Sequence, residues 1–220
     1  MEIKNTVNKE EITQLVANRI IELLNNNQKV FWFVTGGSSI EIISKASIKI
    51  NQQPHKNLTI ALTDERYGQV NHENSNWYSL IKNNFNLKEA NIIQVLKDKN
   101  RQETAKDFNE ELKKYLTDDT YKIGFFGVGK DGHTAGILPN SVAVNSSELA
   151  CDYSTEVFER ITITPKTIEL LDEAIVYMQG EEKWPVVKDL LEKNISIEEQ
   201  PAQILKKLPK LTIFTDYQNK

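Results

Sequence analysis

The chain is predicted to be an α/β protein, a single doubly wound domain over residues 1–220 with a mostly parallel central sheet flanked by helices. Two features of the sequence carry that expectation. Val30–Val34, Leu58–Leu62, Tyr121–Val128 and Ala174–Met178 are short runs, nearly continuous in apolar residues, the pattern of parallel strands buried on both faces. Helical patterns long enough for crossover connections alternate with them.

Taken in order, Ile12, Leu15, Val16, Ile20, Leu23 and Leu24 recur at helical spacing and predict an amphipathic helix over residues 8 to 26 that covers the sheet. Further helices are expected over 39 to 51, 75 to 84, 101 to 117 and 183 to 193. A final run, Leu211–Phe214, reads as a closing strand. The stretch from 140 to 165 has no clear period and is left without an assignment.

The bulk properties exclude several classes. At 220 residues, with 39% hydrophobic and 26% charged, the chain can bury a full core. No apolar run approaches the roughly 20 residues of a membrane span. The amino-terminal MEIKNTVNKEEIT lacks the basic and apolar regions of a signal peptide. Cys151 stands alone, which fits a reducing compartment, and a cytoplasmic location is expected. The net charge of −4 argues against a general nucleic-acid surface and still permits a local cationic pocket.

Chemistry is expected where the strands end, because ligands of open α/β sheets bind at the carboxyl edge. After Val34 comes Thr35-Gly-Gly-Ser-Ser39. There Gly36 and Gly37 allow close backbone approach, and the next helix would turn its amide end toward an anion. Ser38 and Glu41 fit equally well as a capping box. After Leu62 comes Asp64-Glu-Arg66: either Arg66 grips a phosphate with a carboxylate beside it, or the triplet is a surface ion pair. Asn74-Ser-Asn76 most simply caps the next helix.

The most informative junction is Gly127-Val-Gly-Lys-Asp-Gly-His-Thr134. Gly127, Gly129 and Gly132 match the dinucleotide fingerprint in form, but Pro139 arrives too soon for the long helix that motif requires, so no cofactor is expected. A glycine loop presenting His133 remains, and an imidazole near neutral pH can take a proton from water and return it. Lys183 comes soon after the run Ala174–Met178, and Arg160 opens the short run Arg160-Ile-Thr-Ile-Thr164. Each is either a solvated charge or, with Arg66, one jaw of a clamp on a dianion. His55 and His72 have no metal-like spacing to His133, so no metal site is expected.

These blocks, with Ala135, Leu138-Pro139 and Arg160-Ile-Thr-Ile-Thr164, stand in the order found in 6-phosphogluconolactonases, and the chain resembles that family over most of its length. It departs at Ser39-Ile40, commonly Thr-Pro, and at Gly136-Ile-Leu-Pro-Asn140, commonly Ser-Leu-Phe-Pro-Gly. The resemblance implies hydrolysis of 6-phosphoglucono-1,5-lactone to 6-phosphogluconate, the second step of the oxidative pentose phosphate pathway. By that resemblance His133 is the general base, and Asp131 orients either that loop or the histidine. Ser38, Arg66, Arg160 and Lys183 would hold the phosphate, with Gly36, Gly37 and Asp64 shaping the pocket. The partner it implies is a small sugar-phosphate lactone. The superfamily also holds glucosamine-6-phosphate deaminase, which by resemblance places a glutamate soon after its DGH loop, whereas Thr134 to Ser147 contains no acidic residue. A non-catalytic sugar-phosphate sensor is the third possibility.

Overall fold

The computed structural model describes residues 1–218. In chain order the elements are β1 (Glu2–Lys4), α1 (Lys9–Asn25), β2 (Lys29–Val34), α2 (Ile40–Ile50), β3 (Leu58–Leu62), β4 (Asp64–Arg66), α3 (Asn76–Lys82), β5 (Asn91–Ile93), α4 (Arg101–Tyr115) and β6 (Thr120–Gly127). They continue with β7 (Ala150–Ser154), β8 (Glu159–Ile163), α5 (Pro165–Ile168), β9 (Glu173–Met178), α6 (Trp184–Glu192) and β10 (Lys210–Thr215).

Seven strands form one sheet in the order β1-β10-β9-β6-β2-β3-β5, and every neighbouring pair in it is parallel. Their side chains explain the arrangement. Phe31, Trp32 and Phe33 are essentially unexposed, as are Phe125, Phe126 and Tyr177, so both faces of the central strands need cover and the helices supply it. The two outermost strands, β1 and β5, have three residues each, which keeps the open edges short.

Local chemistry sets the helix boundaries. The Asn8 side chain accepts from the amides of Glu10 and Glu11 at the start of α1, and Asn100 accepts from Glu103 N at 2.9 Å at the start of α4. The buried face of α1 is Ile12, Val16, Ile20, Leu23 and Leu24, as its spacing predicts; Leu15 differs, standing 37% exposed at the margin of that face.

Of the two readings of Ser38 and Glu41, the capping box is not formed. Ser38 is exposed, the α2 N-cap is Ser39 with no side-chain capping bond, and Glu41 is drawn instead to Lys9 at 2.7 Å and Lys45 at 2.9 Å. Two opposing ammonium groups outcompete a single backbone amide for that carboxylate.

A second sheet, three antiparallel strands ordered β4-β8-β7, occupies the stretch the sequence left open. Asp64-Glu-Arg66 is thus a strand, paired Asp64 to Thr162, Glu65 to Ile161 and Arg66 to Arg160. Thr63 joins the two sheets: its amide donates to Val34 O at 2.8 Å and its carbonyl accepts from Ile163 N at 3.0 Å. One residue therefore passes the chain from the parallel ladder to the antiparallel one.

Below the sheet, Glu173 at the start of β9 is almost unexposed and accepts from Arg19 Nε at 2.8 Å and Tyr121 Oη at 2.9 Å, with Lys210 Nζ at 2.8 Å. Burial opposes its charge, but the bonds from Lys210, Arg19 and Tyr121 prevail and hold its carboxyl below the ordinary 4.5. A depressed folded-state pKa contributes stability that is complete above the unfolded value and is lost as pH falls through the folded one. Glu173→Gln should therefore cost about 1–3 kcal/mol near neutral pH, the scale of hydrogen bonds to charged groups. Urea unfolding at about pH 7 and about pH 3 checks this, the gap between variant and parent narrowing at the lower pH.

Candidate active site

The strand order reverses between β2 and β6. From β2 the chain steps outward to β3 and β5, and from β6 it steps the other way to β9 and β10. The loops leaving β2 and β6 therefore diverge, and a crevice opens between them. It is a cleft of about 320 Å³ lined by Gly36, Gly37, Ser38 and Ser39 from the first loop, Gly127, Gly129 and His133 from the second, and Asp64, Arg66, Arg160 and Lys183 from other elements. Another hollow, of about 490 Å³, lies at the opposite edge of the sheet beside Lys29, Lys56 and Lys114. Two of its lysines are spent on Asp119 and Glu111, and it holds no imidazole. His133, Arg66, Arg160 and Lys183 all line the smaller cleft.

His133 reaches the cleft through a tightly folded loop. Gly129 N donates to His133 O at 2.9 Å and Gly132 N to Gly129 O at 3.0 Å, while Gly132 O accepts from Ala202 N at 2.9 Å. The hydroxyl of buried Thr134 donates to Gly127 O at 3.1 Å. Asp131 lies behind the imidazole, its Oδ1 2.6 Å from His133 Nδ1 and 3.2 Å from the His133 amide. Burial works against the Asp131 charge, but His133 and its amide outweigh burial and hold the carboxyl below its ordinary range. A carboxylate at Nδ1 assigns the proton to that nitrogen and leaves Nε2 as the acceptor. Glycine is required at 129, because a Cβ there would stand 2.2 Å from His133 Nδ1 and 2.5 Å from Asp131 Oδ1.

The acidic residues of β4 divide the labour. Asp64 Oδ2 is 3.3 Å from Arg160 Nη1, so its cationic partner is Arg160 rather than the adjacent Arg66. Burial pushes the Asp64 carboxyl up, against the pull of Arg160, Thr63, Arg66 and His133. Glu65 faces away from the cleft and is fully buried. It accepts from the amides of Arg66 (2.8 Å), Asn76 (2.7 Å) and Trp77 (3.0 Å) and from Ser75 Oγ (2.8 Å). That carboxylate caps α3 together with Ser75, whose Oγ accepts from Tyr78 N at 3.0 Å.

Arg66 donates to Asn74 O at 2.9 Å and has no ion pair among the described residues. Lys183 follows Gly180, whose amide is held by the Asp216 carboxylate at 3.0 Å, and likewise has no ion pair among the described residues. Three cations thus share a cleft whose only lining carboxylate among the described residues is Asp64.

Two lining residues were not anticipated as part of the site. Asn76 Nδ2 donates to Asp64 O at 2.9 Å, and its side chain fills the space against Gly36, where a Cβ would fall 2.2 Å from Asn76 Oδ1. Ser39 is nearly unexposed, and its Oγ is buried without a hydrogen-bond partner. Local sequence marks Asn76 only as a helix-cap neighbour, and the choice between Ser38 and Ser39 depends on where α2 begins.

A family model described as glucosamine-6-phosphate isomerases/6-phosphogluconolactonase matches residues 5–213. The chain belongs to that family. Within it, a 6-phosphogluconolactonase of Borreliella burgdorferi is 28% identical, the match covering 83% of this chain and 82% of that one. The fold superimposes on the crystal structure of a 6-phosphogluconolactonase from Thermotoga maritima with a TM-score of 0.81 at 19% identity, covering 97% of each chain. A monomeric glucosamine-6-phosphate deaminase superimposes almost as well, with a TM-score of 0.80 at 18% identity, over 98% of this chain and 97% of that one. The family's fold is therefore common to both activities, and the cleft has to distinguish them.

Gly129→Ala should keep the fold, cost about 1–3 kcal/mol through overpacking, and displace the imidazole from Asp131. A thermal melt reads the first effect. Loss of the hydrogen-bonded Nδ1 proton signal of His133 in the imidazole 15N–1H spectrum reads the second.

Proposed function

We propose that the protein hydrolyses 6-phospho-D-glucono-1,5-lactone to 6-phospho-D-gluconate, the second step of the oxidative pentose phosphate pathway. The observation that carries the proposal is the Asp131–His133 pair in one cleft with Arg66, Arg160 and Lys183. A base and a cationic anchor are what a phosphorylated ester needs. The names of the curated relatives support the same substrate.

In this mechanism water attacks C1 of the lactone while His133 Nε2 removes its proton. Asp131, ionised at neutral pH, fixes the ring at Nδ1 and stabilises the imidazolium. The new C–O bond converts the carbonyl oxygen to an oxyanion. Collapse of that intermediate breaks the bond between C1 and the ring oxygen, and the imidazolium returns its proton to that oxygen. The carboxylic acid product loses its proton to solvent. Arg66, Arg160 and Lys183 hold the phosphate, with Ser38 at the Gly36–Gly37 turn and Asp64 setting the position of Arg160. Binding energy from that remote group places C1 beside His133.

The deaminase reading requires a carboxylate close after the histidine loop. The first one here, Glu148, precedes β7 and packs against α4, accepting from Asn109 Nδ2 at 2.8 Å and lying 3.8 Å from Lys113, and it does not line the cleft. A sugar-phosphate sensor would bind the lactone without turning it over.

His133→Ala should fold normally and lose lactonase activity by on the order of 100-fold or more. Hydrolysis of freshly generated lactone, corrected for the spontaneous reaction, measures it; near-normal turnover with an intact circular dichroism spectrum refutes the assignment. Arg66→Lys, Arg160→Ala and Lys183→Ala should each reduce kcat/KM for the phosphorylated lactone by roughly 1.5–3 kcal/mol, with little effect on unphosphorylated gluconolactone. Equal losses on both substrates would assign these residues to the fold or the reacting centre.

A further inference from the structure

Arg66 and Arg160 are directly opposed across the β4–β8 ladder, where like charges destabilise a sheet. Among the described residues only Arg160 has a carboxylate partner, Asp64. In both residues Nε is shielded from water and has no hydrogen-bond partner. What the two groups share is one aromatic ring. The guanidinium carbon of Arg66 lies 4.7 Å from the centroid of Phe158, and that of Arg160 lies 5.8 Å from it, both within the range of a cation–π contact.

Phe158 has no other evident task. It belongs neither to the buried core nor to the partly buried side chains packed against it, and it stands at the tip of the β7–β8 hairpin beside Val157, which is 75% exposed. The backbone there is fixed firmly. Thr155 Oγ1 accepts from Phe158 N at 2.9 Å and donates to Phe158 O at 2.8 Å, and Thr155 N donates to the same carbonyl at 2.8 Å. On the other side of the turn, Tyr67 N donates to Glu159 O at 2.8 Å. A ring on a short, pinned turn is a fixed platform for two long, flexible side chains.

We propose that Phe158 is a positioning residue for substrate recognition: its π face holds the opposed guanidinium groups of Arg66 and Arg160 in the spacing that receives the phosphate dianion. The inference rests on the lactonase reading above and deepens it. Without the ring the two cations repel, their rotamers spread, and the ordering falls on substrate binding. Chemistry at C1, where Phe158 makes no contact, proceeds as before once substrate is bound.

The test compares Phe158→Leu and Phe158→Met, which remove the ring, with Phe158→Tyr, which keeps it. Both non-aromatic variants should raise KM for the phosphorylated lactone by roughly 5- to 30-fold, the scale of a cation–π contact. Their kcat should stay within about twofold. The dissociation constant of 6-phosphogluconate, measured by calorimetry, should rise in parallel, while gluconolactone hydrolysis and the melting temperature change little. Phe158→Tyr should restore the parent KM. Unchanged KM in the non-aromatic variants, or equal losses on both lactones, overturns the proposal. If Arg66→Lys and Arg160→Ala lose phosphate preference while Phe158→Leu and Phe158→Met keep it, the role of Phe158 alone is wrong. If neither arginine variant changes that preference, the phosphate clamp is wrong and this inference falls with it.

Discussion

Two hydrogen-bonded strands that send their chains in opposite directions are the constraint on which the rest of this molecule depends. β2 and β6 pair in parallel from Lys29 with Thr120 to Phe33 with Gly124, so their carboxyl ends emerge together. The chain then leaves one toward β3 and the other toward β9. No backbone fills the space between the departing loops, and polar groups there can face a ligand with a rigid sheet beneath them. The Gly36 turn and the His133 loop occupy its two sides. The small second sheet closes the third, tied on by the two backbone bonds of Thr63.

The same constraint concentrates charge. A chain of net charge −4 directs three cations into one cleft and, among the described residues, leaves them a single lining carboxylate. The carboxylates nearest the arginines are buried, and burial pushes both Asp64 and Glu65 upward in pKa. Glu65 keeps its place because α3 turns its amino-terminal amides on it, and in doing so it fixes Asn76 and hence the wall opposite Gly36. The cleft wall and the cap of α3 are therefore one network. Asp64, Glu65, Ser75 and Asn76 have to move together if any of them moves.

Much of this was legible in the amino-acid sequence, for a physical reason. Runs such as Val30–Val34 and Ala174–Met178 are buried on both faces, and such strands advertise themselves without help from context. The glycine and charge clusters after them follow from the rule that parallel strands end at a common edge. β4 was hidden because it holds only Asp64, Glu65 and Arg66, with no alternation to read, and depends on β8, distant in sequence, for its pairing. β7 and β8 mix Cys151, Asp152 and Glu159 with Ile161 and Ile163, which blurs the period of two. The choice between the two readings of Ser38 and Glu41 could not be made locally, because Lys9 approaches Glu41 from another helix, a tertiary contact that outweighs a local motif. That Asp64 would pair with Arg160 rather than with its neighbour Arg66 required the register of the second sheet.

The placement of β10 also bears on how the protein is made. β1 opens the chain, yet among the described residues its ladder partner is β10, Glu2 facing Thr212 and Lys4 facing Phe214. The His133 loop leans on Ala202, just ahead of β10. During synthesis β1 emerges well before its partner β10, and closing so long a loop carries an entropic cost that local contacts do not offset. A nascent chain halted before β10 would expose the flank of β9, with its fully buried Val176 and Met178, as an open template for other strands. The cleft and the sheet edge thus mature together, and a chain still lacking β10 is the form most open to misassembly.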